Sequence, residues 1–407
     1  MGFRSPSVAV VMHRPESSHA LVYFDNNATT ALDPAVVEAM LPFLTEHYGN
    51  PSSAYSFGSR VGKAVEHARE QVAALLGCEA REVIFTSCGT EGNNTALASA
   101  LAADPDRRHV VTTTVEHSAV KNHCERLARQ GYEITWLPVD ARGRLDLAQV
   151  ADAIRDDTAV VSVMWANNET GVLYPIKEIA ALARARGAFF HTDAVQAVGK
   201  IPLNLRELPH VHFLTLAGHK LHAPKGVGAL YVNRRVKFAP YLIGGSQEHN
   251  RRGGTENVAS IVALGQAAEL AAAAMEEENT RVRALRDQFE RGILEAIAGV
   301  EINGDPVERL PNTTNLFFPG VESEAMLVLL DKAGLCASAG SACTSGSVHP
   351  SHVLTAMGHS ATRARGSLRF SFSRFNTAAE INRGLEIVVH AVEKLRALMP
   401  STMALVS

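Results

Sequence analysis

Lys220 stands on a glycine-flanked turn in Ala217-Gly218-His219-Lys220-Leu221-His222-Ala223-Pro224-Lys225-Gly226-Val227-Gly228-Ala229-Leu230-Tyr231, ahead of a short apolar run. An amine placed this way is suited to Schiff-base formation with a carbonyl. A second stretch, Ser338-Ala339-Gly340-Ser341-Ala342-Cys343-Thr344-Ser345-Gly346-Ser347, holds one cysteine among small residues. Such residues pack poorly, so an exposed, pliable loop is expected, hinged at Gly340 and Gly346. The reactive form of its thiol is the thiolate. A Schiff-base lysine and a thiol on a pliable loop together point to pyridoxal phosphate (PLP) chemistry that ends on sulfur.

Other residues fit around this pair. In His191-Thr192-Asp193-Ala194-Val195-Gln196-Ala197, Asp193 falls at the C-terminal end of an apolar strand, 27 residues before Lys220. Ligands of open α/β sheets collect at such ends. A carboxylate there either keeps a pyridinium nitrogen protonated or caps the next turn. Cys88-Gly89-Thr90-Glu91-Gly92-Asn93-Asn94 is a glycine turn opening a helix, whose free N–H groups suit a phosphate. Many βα turns look the same, and the Walker-type P-loop is absent, since neither Gly62-Lys63 nor Gly199-Lys200 is followed by Ser or Thr. His117 follows another strand. It serves either a structural role or stacking on a flat ring and proton shuttling near neutral pH. Asn168, in Asn167-Asn168-Glu169-Thr170-Gly171, offers a neutral hydrogen-bonding group at the same edge.

The elements that must position these groups alternate. Apolar runs at Glu82–Ser87, Val110–Thr114, Ile134–Leu137, Ala159–Trp165, Ala188–Thr192, Phe213–Leu216 and Val227–Val232 read as strands. Helical spacing lies between them: Val65, Ala68, Val72 and Leu75 share one face before Gly77, and residues 176–186 stop at Gly187. Alternation of this kind implies a mostly parallel, helix-covered sheet. From Thr255 the texture changes. Residues 256–298 are nearly all helix formers, followed by strands near Asn315–Phe318 and Ser367–Ser371 and a helix over Thr377–Leu398. The expected division is an N-terminal extension over 1–20, taken as disordered, a large domain over 21–260 and a smaller α+β domain over 261–407.

The 407 residues carry a net charge of −3, which offers nothing to a nucleic acid or an anionic membrane surface. No apolar run reaches a membrane span, since Ile261–Ala274 is broken by Gln266 and Glu269. Nor does the short patch Val8–Met12 make a signal sequence. Cys78, Cys88, Cys124, Cys336 and Cys343 show no zinc or redox spacing and read as free thiols of a reducing cytoplasm. Cys88 is the rival to Cys343, and its tight turn leaves it little reach. His210, His212, His219 and His222 lack a completing carboxylate or cysteine, so no metal is expected.

In their joint order these motifs resemble the cysteine desulfurases of the NifS/IscS type, within the class V aminotransferase group of PLP fold type I. The matching stretches are Tyr23-Phe24-Asp25-Asn26-Asn27-Ala28-Thr29-Thr30, Thr86-Ser87-Cys88-Gly89-Thr90-Glu91, Asn167 to Gly171, and His191 to Gln196. They continue with Gly218-His219-Lys220, Arg252-Gly253-Gly254-Thr255-Glu256-Asn257 and the Cys343 loop. Together they span about residues 21 to 395. The resemblance implies that Lys220 forms the Schiff base and moves protons at the substrate Cα. It pairs Asp193 with the pyridine nitrogen and sets Gln196 and Asn168 at the ring hydroxyl. His117 stacks on the ring, while Gly89, Thr90 and His219 bind phosphate, and Thr255 reaches the phosphate of the other subunit of a homodimer. Arg369 clamps the substrate carboxylate. Cys343 takes the sulfur of L-cysteine as a persulfide, leaving L-alanine, and hands it to an iron–sulfur scaffold protein or another acceptor in the cytoplasm. The loop resembles the NifS/IscS group rather than the group with a short, Arg-and-His-flanked cysteine. One departure is Ala217, where the family carries a phosphate-contacting serine. The loss is expected to cost roughly 0.5–3 kcal/mol of cofactor binding, unless Thr215 or water compensates. Rival readings are a selenocysteine lyase, another aminotransferase-fold enzyme, or a PLP-free binding subunit.

Overall fold

A computed structural model describes residues 21–340 and 350–398. The 1–20 extension and Cys343 lie outside the described residues. The centre is a seven-stranded sheet of β1 (Val83–Thr86), β2 (His109–Thr113), β3 (Glu133–Leu137), β4 (Thr158–Ser162), β5 (Phe189–Asp193), β6 (Phe213–Ala217) and β7 (Gly228–Val232). Their spatial order is β1-β7-β6-β5-β4-β2-β3. β7 runs antiparallel to both neighbours, and the pairings from β6 through β5, β4 and β2 to β3 are parallel. Each expected strand is present, with ends shifted by at most three residues. Side chains alternate between two cores. Val83, Phe85, Val111, Val161, Leu214 and Leu216 pack into one, and Ile84, Val110, Val160 and Phe213 into the other. That is the period-two pattern of a sheet buried on both faces.

The helix Ser56–Leu76 ends where the sequence places it. Gly77 takes a left-handed φ of +66° and returns its N–H to Ala73 and Ala74. The single helical run expected over 256–298 is broken. Val258–Ala273 packs with Val65, Ala68 and Val72 in the first core, and the chain then bends by 57° into Met275–Ala296. Asn279 supplies a cause at the bend: its side chain donates to the Met275 carbonyl and to the Lys200 carbonyl, competing with the helix ladder. No single helix is long and apolar enough to cross a membrane.

A third core gathers Phe289, Phe318, Phe370 and Phe372 under a three-stranded antiparallel sheet of Glu301–Ile302, Thr313–Phe317 and Ser367–Ser371. Val22 and Phe24 belong to this core, because Val22–Tyr23 pairs in parallel with Leu335–Cys336. The next residues then cross to the Lys220 turn: Thr30 N–H donates to the His219 carbonyl at 3.0 Å, and its hydroxyl accepts from His222 N–H at 2.9 Å.

Glu248, His249 and Asn250 all have positive φ (48°, 55° and 64°), a strained conformation for non-glycine residues. Arg69 holds this turn with Nη1 and Nη2 at 2.6 and 2.9 Å from the Glu248 carboxylate, and both side chains are buried. Downstream, Arg252 donates to Glu91 at 2.9 Å. Burial opposes ionisation of Glu91, but Arg252 and the Ser87 N–H hold it below the usual carboxylate range. Arg69→Ala strands a buried carboxylate on a strained turn. Urea unfolding of that variant is expected to show a loss of roughly 3–5 kcal/mol. A midpoint equal to wild type would show that the pair does not hold the turn.

Candidate active site

A cavity of about 190 Å³ opens at the carboxyl ends of the parallel strands, as open α/β sheets favour. Lys220, Asp193, His117, Thr90, His219, Gln196, Asn168, Gly89 and Arg369 all line it. These residues span 280 positions of sequence, from Gly89 to Arg369, and the fold brings them to one place. A wider groove of about 670 Å³ between 51–70 and 246–256 holds none of them.

Lys220 closes a single turn, residues 218–220, between β6 and the hairpin into β7. Its Nζ lies 2.5 Å from the Asn27 carbonyl and 2.6 Å from the Ala28 carbonyl. Asn27 and Ala28 lie inside the Tyr23–Thr30 motif, yet nothing in the sequence shows that their carbonyls would meet a lysine 193 residues on.

Asp193 is the last residue of β5. One carboxylate oxygen accepts from Asn93 Nδ2 at 2.6 Å and the other from Val195 N–H at 3.0 Å. The turn-capping role and the place in the cavity therefore coexist. Asn93 comes from the helix Gly89–Ala103, whose first turn sits against β5 and β6 because Gly89 and Gly92 lack side chains. A Cβ at Gly89 would lie 2.9 Å from Val195 Cγ2, and one at Gly92 would lie 2.7 Å from Thr215 Cγ2.

His117 caps the helix Ser118–Arg129, with Nδ1 accepting from Ala119 N–H at 3.2 Å. A backbone N–H only donates, so Nδ1 is the unprotonated nitrogen and Nε2 carries the proton of the neutral ring. His219 is pushed down to about 4 by burial and then by the neighbouring Lys220 charge, and is neutral near pH 7.

Glu116, beside His117, is fully buried. Its Oε1 accepts from Thr113 Oγ1 and Met164 N–H, both at 2.9 Å, and Oε2 has no partner among the described residues. Burial pushes its carboxyl up to about 8 against those two bonds, with the Asp193 charge acting in the same direction. An acid raised in the native state contributes stability that is full below the ordinary carboxylate range and is lost as pH rises through about 8. Glu116→Gln keeps the accepting oxygen and cannot ionise. Its unfolding free energy from urea titration is expected to lie close to wild type near pH 5 and to exceed it at pH 9 by roughly 1–4 kcal/mol. Parallel pH profiles would contradict this.

Arg369 is buried, with Nη1 donating to the Asn168 carbonyl and Nη2 to Asp25, each at 2.8 Å, while Nε has no partner among the described residues. Thr255 is exposed and away from the cavity of its own chain. Cys88, the rival to Cys343, lines the cavity. Thr215 does not compensate for Ala217. Its hydroxyl lies 3.2 Å from His191 Nε2 and it is absent from the cavity wall, which Ala217 lines with its methyl group. His212 accepts from Phe190 N–H and His222 Nδ1 meets the Ala31 carbonyl, so these histidines serve separate contacts.

The family model described as "Aminotransferase class-V" matches residues 22–383. This chain belongs to the class V aminotransferase family. Among curated class V relatives, cysteine desulfurase 2 of Trichormus variabilis is 57% identical over 381 residues, 94% of this chain and 95% of that one. Cysteine desulfurase NifS of Azotobacter vinelandii is 56% identical over 380 residues, 93% of this chain and 94% of that one. A solved structure titled "NIFS-LIKE PROTEIN" superposes with a TM-score of 0.86 at 35% identity, covering 92% of this chain and all of the other. The fold is the α/β arrangement of PLP fold type I.

Class V enzymes of this kind work with PLP, and the cavity fits that group. It offers an amine at Lys220, a carboxylate at Asp193 and a glycine-led helix N-terminus at Gly89 and Thr90. It also carries buried polar atoms without partners among the described residues, Asn93 Oδ1 and Arg369 Nε.

Proposed function

We propose that this chain is a PLP-dependent cysteine desulfurase that converts L-cysteine to L-alanine and passes the sulfur, as a persulfide on Cys343, to an acceptor. The observation that carries the reading is the single cavity holding Lys220 and Asp193, in a chain whose relatives named cysteine desulfurase match it almost end to end. Lys220 would hold PLP through its amine, Asp193 would face the pyridine nitrogen, and Gln196 and Asn168 would meet the ring hydroxyl. Gly89, Thr90 and His219 would take the phosphate, joined by Thr255 from the other subunit. When bound, PLP supplies an electron sink that loosens the substrate Cα–H and Cβ–S bonds.

Lys220 takes and returns the proton at Cα. His117 offers Nε2 for proton transfer near the ring, and Arg369 binds the substrate carboxylate with donors left over from Asp25 and Asn168. The Cys343 thiolate attacks the substrate sulfur. An S–S bond forms, the Cβ–S bond breaks with its electron pair going to carbon, and protonation gives alanine.

The protein works as a cytoplasmic homodimer that feeds an iron–sulfur scaffold. Support comes from exposed Tyr241, Leu242 and Ile243 on the segment leading to Thr255, and from the NifS name of the Azotobacter relative. The chain also divides into a large and a small domain, with Cys343 on the small one. The separate third core supports the division into 21–260 and 261–407.

The test is product release from L-cysteine with a reductant present. Equal amounts of sulfide and alanine from a yellow protein are expected. A marked preference for L-selenocysteine would support a lyase instead, and a colourless protein would sink the reading.

A further inference from the structure

Lys200 is buried at 6% exposure although no acidic side chain lies within ion-pair distance of it among the described residues. A lysine ammonium taken out of water this way is unfavourable unless it has work elsewhere. Its position follows from the turn after β5. The Ala194 carbonyl accepts from Ala197 and Val198, and the Ala197 carbonyl accepts from Lys200 and Ile201. The chain makes a short coil, which sets Gln196 and Lys200 four residues apart on one side. Lys200 Nζ then donates to Gln196 Oε1 at 2.7 Å and lies 3.4 Å from Asn27 Oδ1. Gln196 Nε2 donates to the Asn27 carbonyl at 2.9 Å, the same oxygen that accepts from Lys220 Nζ at 2.5 Å.

We propose that Lys200 is a positioning residue: it fixes the carboxamide of Gln196, and through it the Asn27 carbonyl that holds Lys220, in the orientation that receives PLP. A charged amine can only donate along this bond, so in that form Lys200 holds the amide oxygen toward itself and the amide nitrogen toward Asn27. Without that donor only the Nε2 bond to Asn27 opposes a flip of the carboxamide, which would set its oxygen against the Asn27 carbonyl oxygen. Burial pushes Lys200 down to about 7, with the Lys220 and Arg369 charges acting the same way and Glu278 opposing. Glu278, also buried, is pushed up to about 7 by that burial. These shifts fit a lysine placed for its hydrogen bonds more than for an ion pair.

The inference rests on the PLP reading of the cavity. Its test is a double-mutant cycle on PLP retention by the purified holoenzyme, read from the visible absorbance remaining after dilution, with thermal midpoints measured alongside. Lys200→Met and Gln196→Ala are each expected to weaken PLP binding about 3- to 10-fold. The double variant should be no weaker than the worse single one, because one residue acts through the other. Lys200→Gln, which keeps a donor, should recover part of the loss and stands in if Lys200→Met does not fold. Additive losses in the double variant, or wild-type retention in Lys200→Met, overturn the positioning role while leaving the PLP reading intact. A wild-type protein that holds no PLP overturns both.

Discussion

Cys343→Ala is expected to lower sulfide release from L-cysteine by at least about 10³-fold while the protein stays yellow, since the proposed mechanism assigns the attack on sulfur to that thiolate alone. The other cysteines are poorly placed to replace it. Burial pushes the Cys78 and Cys124 thiols up to about 12, so thiolate is scarce in both. Cys336 is also raised, by burial first and then by Asp25. Cys88 lines the cavity and is the serious competitor, fixed as the residue that opens the helix Gly89–Ala103. The comparison therefore runs wild type, Cys343→Ala and Cys88→Ala together, scoring sulfide, alanine and the visible spectrum. Loss in Cys343→Ala with near-normal turnover in Cys88→Ala supports the relay. The reverse pattern moves the persulfide to Cys88.

Lys220→Ala should produce a comparable loss in turnover, at least about 10³-fold, because in the proposed reaction one amine both holds the cofactor and moves the Cα proton. Its structural signature is distinct. The Ala28 carbonyl loses a donor at 2.6 Å, and among the described residues the Asn27 carbonyl keeps Gln196 alone. Borohydride should attach the cofactor irreversibly to the wild type and not to this variant. Retained turnover, or borohydride attachment in the variant, would place the anchoring amine elsewhere, and Lys200 is the nearest buried candidate. Arg69→Ala and Glu116→Gln make smaller claims on stability, and neither needs the cofactor to be present.

The central sheet was legible in the sequence because strands buried on both faces are written as short, dense apolar runs. Val110, Val111, Val160, Val161, Phe213 and Leu214 show this directly. Asp193 and Lys220 were legible for a related reason: each follows such a run, and the ends of parallel strands are where an α/β sheet has open space. The helix over 256–298 was less well read. Composition carries no mark of a side chain such as Asn279 that diverts one carbonyl and bends the axis.

The sequence by itself determined the alternation of elements, the strand ends that carry Asp193 and Lys220, and the family resemblance. Those properties are local, set by side-chain period and short-range spacing. Tertiary structure decided the rest. It laid Asn27 and Ala28 on Lys220, brought Asn93 to Asp193, tied Thr215 to His191, and placed Lys200 behind Gln196 and Asn27. It also gave Glu116 an interior with one oxygen unpartnered among the described residues. Five of these contacts join residues 24 to 193 positions apart, and the Gln196–Lys200 pair depends on how the turn coils. Their geometry is fixed by how helices and turns pack on the sheet, and a carbonyl or carboxamide carries no sequence signal of the partner that folding brings to it.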